Sequence, residues 1–229
     1  MHTYPLLLDL TTIHALVVGA GAVGMRKIQS LLDGGPPARI TIVDPAPPCP
    51  QLCHWATTYP LDIRQRPFEA TDIHAVQLVF ACTPSPEVNR SIARCCQEAG
   101  ILCNCAQHPE DGSFAVPATL RRGDFLLCIS TGGASPALAR RVRQQLEAQF
   151  GPEYGALTRL LGRIRPVVLN EGGDSAAHAD LFRDIVNTPI LEALRRGDTA
   201  ACAAILQRAL PPSLHHHIEE WCHECLDMV

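Results

Sequence analysis

Residues 14–35, "HALVVGAGAVGMRKIQSLLDGG", constrain this chain more than any other stretch. A short apolar run ending at Val17 and Val18 reads as a buried strand. Ile28, Leu31 and Leu32 recur at helical spacing, and Gly34 and Gly35 stop the helix. Between strand and helix, Gly19, Gly21 and Gly24 match GxGxxG. In that pattern the first glycine permits a tight turn and the second lets a pyrophosphate approach the backbone. The third lets helix pack on strand, with phosphates at the helix N-terminus. Asp44 stands 20 residues beyond Gly24, at the end of the next apolar run and just before Pro45. A carboxylate there accepts ribose hydroxyls and repels a 2′-phosphate, so the expected cofactor is NAD. Ala22 and Val23 inside the turn, Pro45 after the acid, Thr83 and Asn104 complete the expected cofactor-binding set.

The rest of the chain extends this pattern. "ARITIVDP" is a second strand and "AVQLVFACT" a third; "ILCNC" is another. Between the last two lies a helix opened by Ser85 and Pro86 and closed by Gly100. Strands alternating with helices imply a parallel sheet covered on both faces. After about residue 112 the pattern changes. "SFAVPATLRRGDFLLCIST" reads as two strands around an Arg-Arg-Gly-Asp turn. "SPALARRVRQQLEAQFG" is a helix with Ser135 as N-cap and Pro136 in its first turn. Beyond it only helical periodicity remains, broken at "NEGGDS", Pro189, "RRGD" and "PPS". The expected fold is α/β: a Rossmann-type domain over 1–112, a strand–helix connector or dimerisation region over 113–150, and a helical C-terminal domain over 151–229.

Composition narrows the partners. A formal charge of −4 gives no electrostatic reason to bind nucleic acid. No apolar run reaches a membrane span, and "MHTYPLLLDL" lacks a basic n-region. Eleven cysteines at irregular spacing, an odd number, favour reduced thiols and a cytoplasmic location over a disulfide framework.

"CNCAQHPEDGSF", residues 103–114, crowds polar and sulfur side chains together. Cys103 and Cys105, two apart on a strand, share one face and read as buried thiols; Asn104 faces the other way, where it can reach a cofactor. Gln107 hydrogen-bonds but takes no proton at neutral pH, whereas the adjacent His108 can. "STGGASPALAR" sets a glycine pair before a helix start. Backbone N–H groups at Gly132 and Gly133, with Thr131 and Ser135, offer a carboxylate seat, unless this is simply a capped helix. Arg121, Arg122, Arg140, Arg141 and Arg143 form a local basic excess. The tail "LHHHIEEWCHECL" groups His215, His216, His217, Cys222, His223 and Cys225, but the spacing fits no standard zinc module, and Trp221 and Leu226 also suit a packed helix. No metal site is assigned.

With these residues in place, the first 150 positions resemble the siroheme synthase family, and within it the precorrin-2 dehydrogenase/sirohydrochlorin ferrochelatase module; about the last 80 residues resemble it only in helical character. The resemblance rests on "YPLLLDL", "VVGAGAVGMRKIQSLL", "GSFAVPA" and "STGGASPALAR". It implies that NAD+ takes a hydride from precorrin-2, a tetrapyrrole with eight carboxylates, to give sirohydrochlorin. It also implies a homodimer and a tetrapyrrole cleft at Thr131, Gly132, Gly133, Ser135 and Arg140. The methyltransferase activity of longer, fused members is expected to be absent. At the position of Thr131 the family commonly carries a serine, modifiable in some members. At that of Gln107 it usually carries an aspartate implicated in dehydrogenation and metal insertion, so Gln107 and His108 become the candidate catalytic pair. Loss of the carboxylate weighs more on metal insertion, which must strip pyrrole protons, than on hydride transfer. Two rivals remain: a bifunctional enzyme that also inserts ferrous or cobalt ions, and a non-catalytic NAD- or tetrapyrrole-binding redox sensor.

Overall fold

A computed structural model of the chain describes residues 3–172 and 174–226. Its contacts divide it into two units, 1–116 and 117–229.

The first unit is built on a five-stranded parallel sheet. In chain order its elements are β1 (His14–Val18), α1 (Ala22–Asp33), β2 (Arg39–Val43), α2 (Pro50–Ala56), β3 (Leu61–Arg64), β4 (Leu78–Ala81), α3 (Pro86–Ala99) and β5 (Leu102–Cys105). The strand order is β3-β2-β1-β4-β5. The order reverses beside β1, which places the crevice at the carboxyl ends of β1 and β4, where such sheets take their ligands. Alternation along each strand sorts the core into two layers. Ala15, Val17, Ile40, Ile42, Leu78 and Phe80 pack with Ile28, Leu31 and Leu32 of α1. Leu16, Val18, Val79, Ala81 and Cys103 pack with Ile92, Ala93 and Cys96 of α3. Cys103 and Cys105 are both buried, and all eleven cysteines are free thiols.

Helix boundaries follow local chemistry. The side chain of Ser85 accepts the Val88 N–H at the start of α3, and Gly100 ends that helix at φ 69°. Glycine takes this left-handed conformation without a Cβ penalty.

The second unit opens with the antiparallel pair β6 (Ala118–Arg122) and β7 (Phe125–Ile129), followed by α4 (Pro136–Gln149). The arginine pair belongs to β6 itself; the turn is Gly123–Asp124. Then come α5 (Pro152–Asn170), α6 (Ser175–Asn187), α7 (Ile190–Arg195), α8 (Thr199–Ala209) and α9 (Ile218–Leu226). Their apolar faces share one core around Leu160, Ile164, Ile185, Ile190, Leu194 and Leu206. Of the segment 113–150 read from sequence as a connector, residues 117–150 pack with the helices that follow. Phe125 stacks on Phe150 and meets Tyr154 of α5. A Cβ on Gly155 would lie 2.5 Å from the carbonyl oxygen of Arg122. Trp221 is buried in this core; the side chain of Leu226 lies outside the described residues. Among the described residues no helix is long and apolar enough to cross a membrane.

Candidate functional site

The glycine turn is locked from both sides. Gly19 donates its N–H to Val43 of β2, and Cys82 donates to Val18 of β1. Gly19 has φ 93°, and a Cβ there would meet the Cys82 carbonyl oxygen at 2.7 Å. A Cβ on Gly24 would sit 1.8 Å from the Gly19 carbonyl oxygen. Gly21 differs: nothing lies within 4 Å of its would-be Cβ. It is the N-cap of α1 and offers no side-chain cap, and the first N–H used inside the helix is that of Met25. The N–H groups of Ala22, Val23 and Gly24 are therefore open toward that free space, which suits a pyrophosphate.

Asp44 follows β2. Its Oδ2 accepts the Ala20 N–H at 2.6 Å and its Oδ1 the Ala46 N–H at 2.7 Å. Each oxygen keeps further acceptor capacity for a ribose hydroxyl. Pro45 beside it is exposed, and residues 45–48 carry no cation that would neutralise a 2′-phosphate.

On the other side of the crevice, Asn104 of β5 lies beside Phe80 of β4, on the sheet face covered by α1. Its Nδ2 donates to the Phe114 carbonyl at 3.0 Å, while its buried Oδ1 has no partner. An orphaned buried acceptor is costly and calls for a donor. Phe80 and Phe114 meet edge to face nearby, with the Lys27 ammonium over the Phe80 ring at 5.7 Å. Burial lowers the pKa of Lys27. The glycine cradle, the unclaimed N–H groups, the ribose-facing carboxylate and this free acceptor fit a dinucleotide.

Thr83, after β4, is held by a residue that the sequence does not reveal. Asn89 is fully buried in α3; its Oδ1 accepts the Thr83 N–H at 3.0 Å and its Nδ2 donates to the Thr83 carbonyl at 2.9 Å. Its only sequence signal is an asparagine four positions past the Ser85 cap, and its partner lies six residues upstream across a turn. The same Nδ2 also lies 3.5 Å from Gln107 Oε1, and Gln107 Nε2 lies 3.5 Å from the Pro84 carbonyl oxygen. Gln107 is therefore tethered, loosely, to the loop that carries Thr83. His108 turns instead to Glu110, Nδ1 to Oε1 at 3.0 Å. Glu110 has a lowered pKa, through its own backbone N–H and then this histidine. After this turn the chain runs back along β5: Ser113 donates its N–H to Cys103 and accepts the Cys103 N–H on Oγ. A Cβ on Gly112 would meet the Cys103 carbonyl at 2.9 Å, so "DGSF" needs its glycine for close approach.

In the second unit, Thr131 Oγ1 accepts the Ser135 N–H at 3.0 Å, and Ser135 Oγ accepts the Leu138 N–H at 3.2 Å. Gly132 and Gly133 have φ 62° and 87° and face open space. Gly132 donates its N–H to Ser130 Oγ, and Arg140 is exposed on α4. In the tail, His215 Nε2 contacts the Leu210 carbonyl oxygen at 3.0 Å, and His217 stacks on Trp221. Cys222 and Cys225 are buried, with burial pushing the Cys222 thiol up to about 12. Among the described residues no three His, Cys, Asp or Glu side chains form a metal-holding group.

Comparison with known proteins agrees with this geometry. Residues 6–118 match a family model described as NAD(P)-binding. Residues 127–149 match the "Sirohaem biosynthesis protein central" model. The siroheme synthase of Thioalkalivibrio sulfidiphilus (strain HL-EbGR7) is 31% identical over 93% of this chain and 43% of its own length. Siroheme synthase 1 of Aeromonas salmonicida (strain A449) is 33% identical over 88% of this chain and 42% of its own. The chain thus spans less than half the length of these curated relatives. Among solved structures, "SirC, precorrin-2 dehydrogenase" is similar at a TM-score of 0.72 and 26% identity, covering 90% of this chain and 98% of that one. The chain is thus similar to the siroheme synthase family across its NAD(P)-binding and central parts.

Proposed function

We propose that this chain is an NAD-dependent precorrin-2 dehydrogenase acting in siroheme biosynthesis in the cytoplasm, as a homodimer. The observation that carries the reading is the likeness to SirC over 98% of that structure, together with a glycine turn and acid that fit a dinucleotide. The reaction removes a hydride and a proton from precorrin-2 and yields sirohydrochlorin, NADH and a proton. NAD+, when bound, supplies the hydride acceptor. The chain's own residues bind and orient. The N–H groups of Ala22, Val23 and Gly24 hold the pyrophosphate. Asp44 takes the ribose hydroxyls, with Pro45 closing the strand, and Asn104 Oδ1 accepts an N–H of the cofactor. Thr83, fixed by Asn89, borders the same crevice. In the second unit, Thr131, Gly132, Gly133, Ser135 and Arg140 bind carboxylates of the tetrapyrrole; Arg140 supplies charge and Gly133 a backbone N–H, while the Gly132 N–H is held by Ser130 Oγ and shapes the turn. The proton leaves to water or to His108, whose Nδ1 is turned to Glu110, leaving Nε2 free.

Hydride transfer of this kind leans on positioning, which no single carboxylate supplies. A glutamine at 107 is compatible with it and ill suited to stripping pyrrole protons for metal insertion. The test is NADH formation from precorrin-2, run beside metal uptake by sirohydrochlorin. The expected result is turnover in the first assay and little or none in the second, with Gln107→Asp raising only the second. NAD+ should outcompete NADP+. Failure to form NADH from precorrin-2 would overturn the reading.

A further inference from the structure

Two of the exposed thiols lie one helical turn apart, and one of them touches a third sulfur. Cys49 is the residue immediately before α2 and Cys53 lies one helical turn along it, the Cys53 N–H donating to the Cys49 carbonyl at 3.1 Å. Both cysteines are exposed. The Cys53 sulfur leans back to within 3.9 Å of the Pro48 carbonyl, toward Cys49. The Cys49 sulfur lies 4.0 Å from the thioether sulfur of Met25 on α1. No hydrogen bond from a cap function occupies Cys49.

We propose that Cys49, Cys53 and Met25 form a binding site for one soft monovalent metal ion, copper(I). The donor set decides the class of ion. Thiolate and thioether sulfur select soft cations. Structural zinc takes four ligands, drawn from cysteine, histidine and carboxylates. The spacing decides the geometry. Two sulfurs each about 2.3 Å from a shared ion are about 4.0 Å apart when they subtend about 120°, which is trigonal ligation. That is the separation of Cys49 and Met25 sulfurs found here. Cys53 supplies the third ligand by a rotation of its exposed side chain. Binding releases two thiol protons to solvent and leaves a three-sulfur site with one net negative charge.

The site has a clear boundary against the remaining cysteines. Cys82, Cys96, Cys103, Cys105, Cys202, Cys222 and Cys225 are buried, Cys95 is half-buried, and Cys128 is exposed in the second unit without a thiol neighbour in its own strand.

The experiment titrates the reduced full chain with copper(I) under anaerobic conditions against a chromophoric copper(I) chelator. One ion retained per chain is expected, lost in Cys49→Ser/Cys53→Ser and unchanged in Cys95→Ser/Cys128→Ser. Met25→Leu should keep the stoichiometry and weaken binding by about tenfold. A second measurement needs no variant: one equivalent of copper(I) should protect Cys49 and Cys53 from alkylation, read by peptide mass, and leave Cys128 reactive. Equal retention by the Cys49→Ser/Cys53→Ser chain, or unprotected alkylation of both cysteines at full loading, overturns the proposal.

Discussion

The glycines at 19–24 and those at 132–133 look alike in sequence and are built on opposite terms. At Gly19 and Gly24 the backbone is crowded, and a Cβ would overlap a carbonyl oxygen at 2.7 Å and 1.8 Å. At Gly132 and Gly133 there is open space, and only the positive φ asks for glycine. The first turn is a packing device that also leaves N–H groups free. The second is a local bend whose cost of replacement is confined to its own dihedrals. A glycine pattern therefore says little until one knows whether space or backbone sign requires it.

Gly24→Ala presses hardest on this contrast. The clash is with backbone, which cannot swing aside, so the turn must open; overpacking costs about 1–3 kcal/mol even where the neighbour can give. Loss of NAD binding and a clearly lowered melting temperature are expected. Near-normal NAD affinity by calorimetry would show that the turn is softer than its spacing implies. Asn89→Ala comes next. It strips both the N–H and the carbonyl of half-buried Thr83 of their partner, at about 0.5–1.5 kcal/mol for each hydrogen bond lost. Denaturant unfolding should show the loss, and Asn89→Asp should restore only the half that accepts the Thr83 N–H. Gly133→Ala should cost about 1 kcal/mol from the left-handed backbone alone and leave NAD binding untouched. If it also abolishes NAD binding, the separation of the two turns fails.

The smallest effect near neutrality concerns a buried carboxylate of the second unit. Burial raises the pKa of Glu153, but hydrogen bonds from Arg195 and from the backbone outweigh this and hold it below the usual glutamate value. A depressed folded pKa means a stability contribution present above the unfolded value and lost as pH falls through the folded one. Acid titration of unfolding should therefore show the second unit weakening below the ordinary carboxylate range. Glu153→Gln should flatten that limb, and an unchanged slope would remove Glu153 from the account.

Much of the frame was legible in the sequence because it is written in local terms. The strand–turn–helix around Gly19, the Ser85 and Ser135 caps and the Gly100 stop each need only neighbouring residues. The alternation that buries Cys103 and Cys105 and turns Asn104 the other way is equally local. What the sequence hid is carried by distant partners. The segment 46–74 gave no reading, yet it holds α2 and β3. In β3, "LDIR" looks polar because Asp62 and Arg64 belong to an ion-pair network with Arg39, Arg66 and Asp72. Edge strands often carry such charge. The orphan oxygen of Asn104 and the grip of Asn89 on Thr83 are invisible to periodicity, since both depend on which atom meets which.

Asp44 has a consequence for how this protein can change. Its carboxylate is not only the expected ribose acceptor; it also clamps the Ala20 N–H inside the glycine turn and the Ala46 N–H of the loop that follows. Recognition and scaffold share one side chain. Any lineage drifting toward the phosphorylated dinucleotide would have to surrender the acid and, in the same step, find another acceptor for Ala20. Single substitutions at this position are thus trapped between two demands. A serine or asparagine, still able to accept an N–H while shedding the charge, is the narrow bridge by which cofactor preference can move without the turn coming apart.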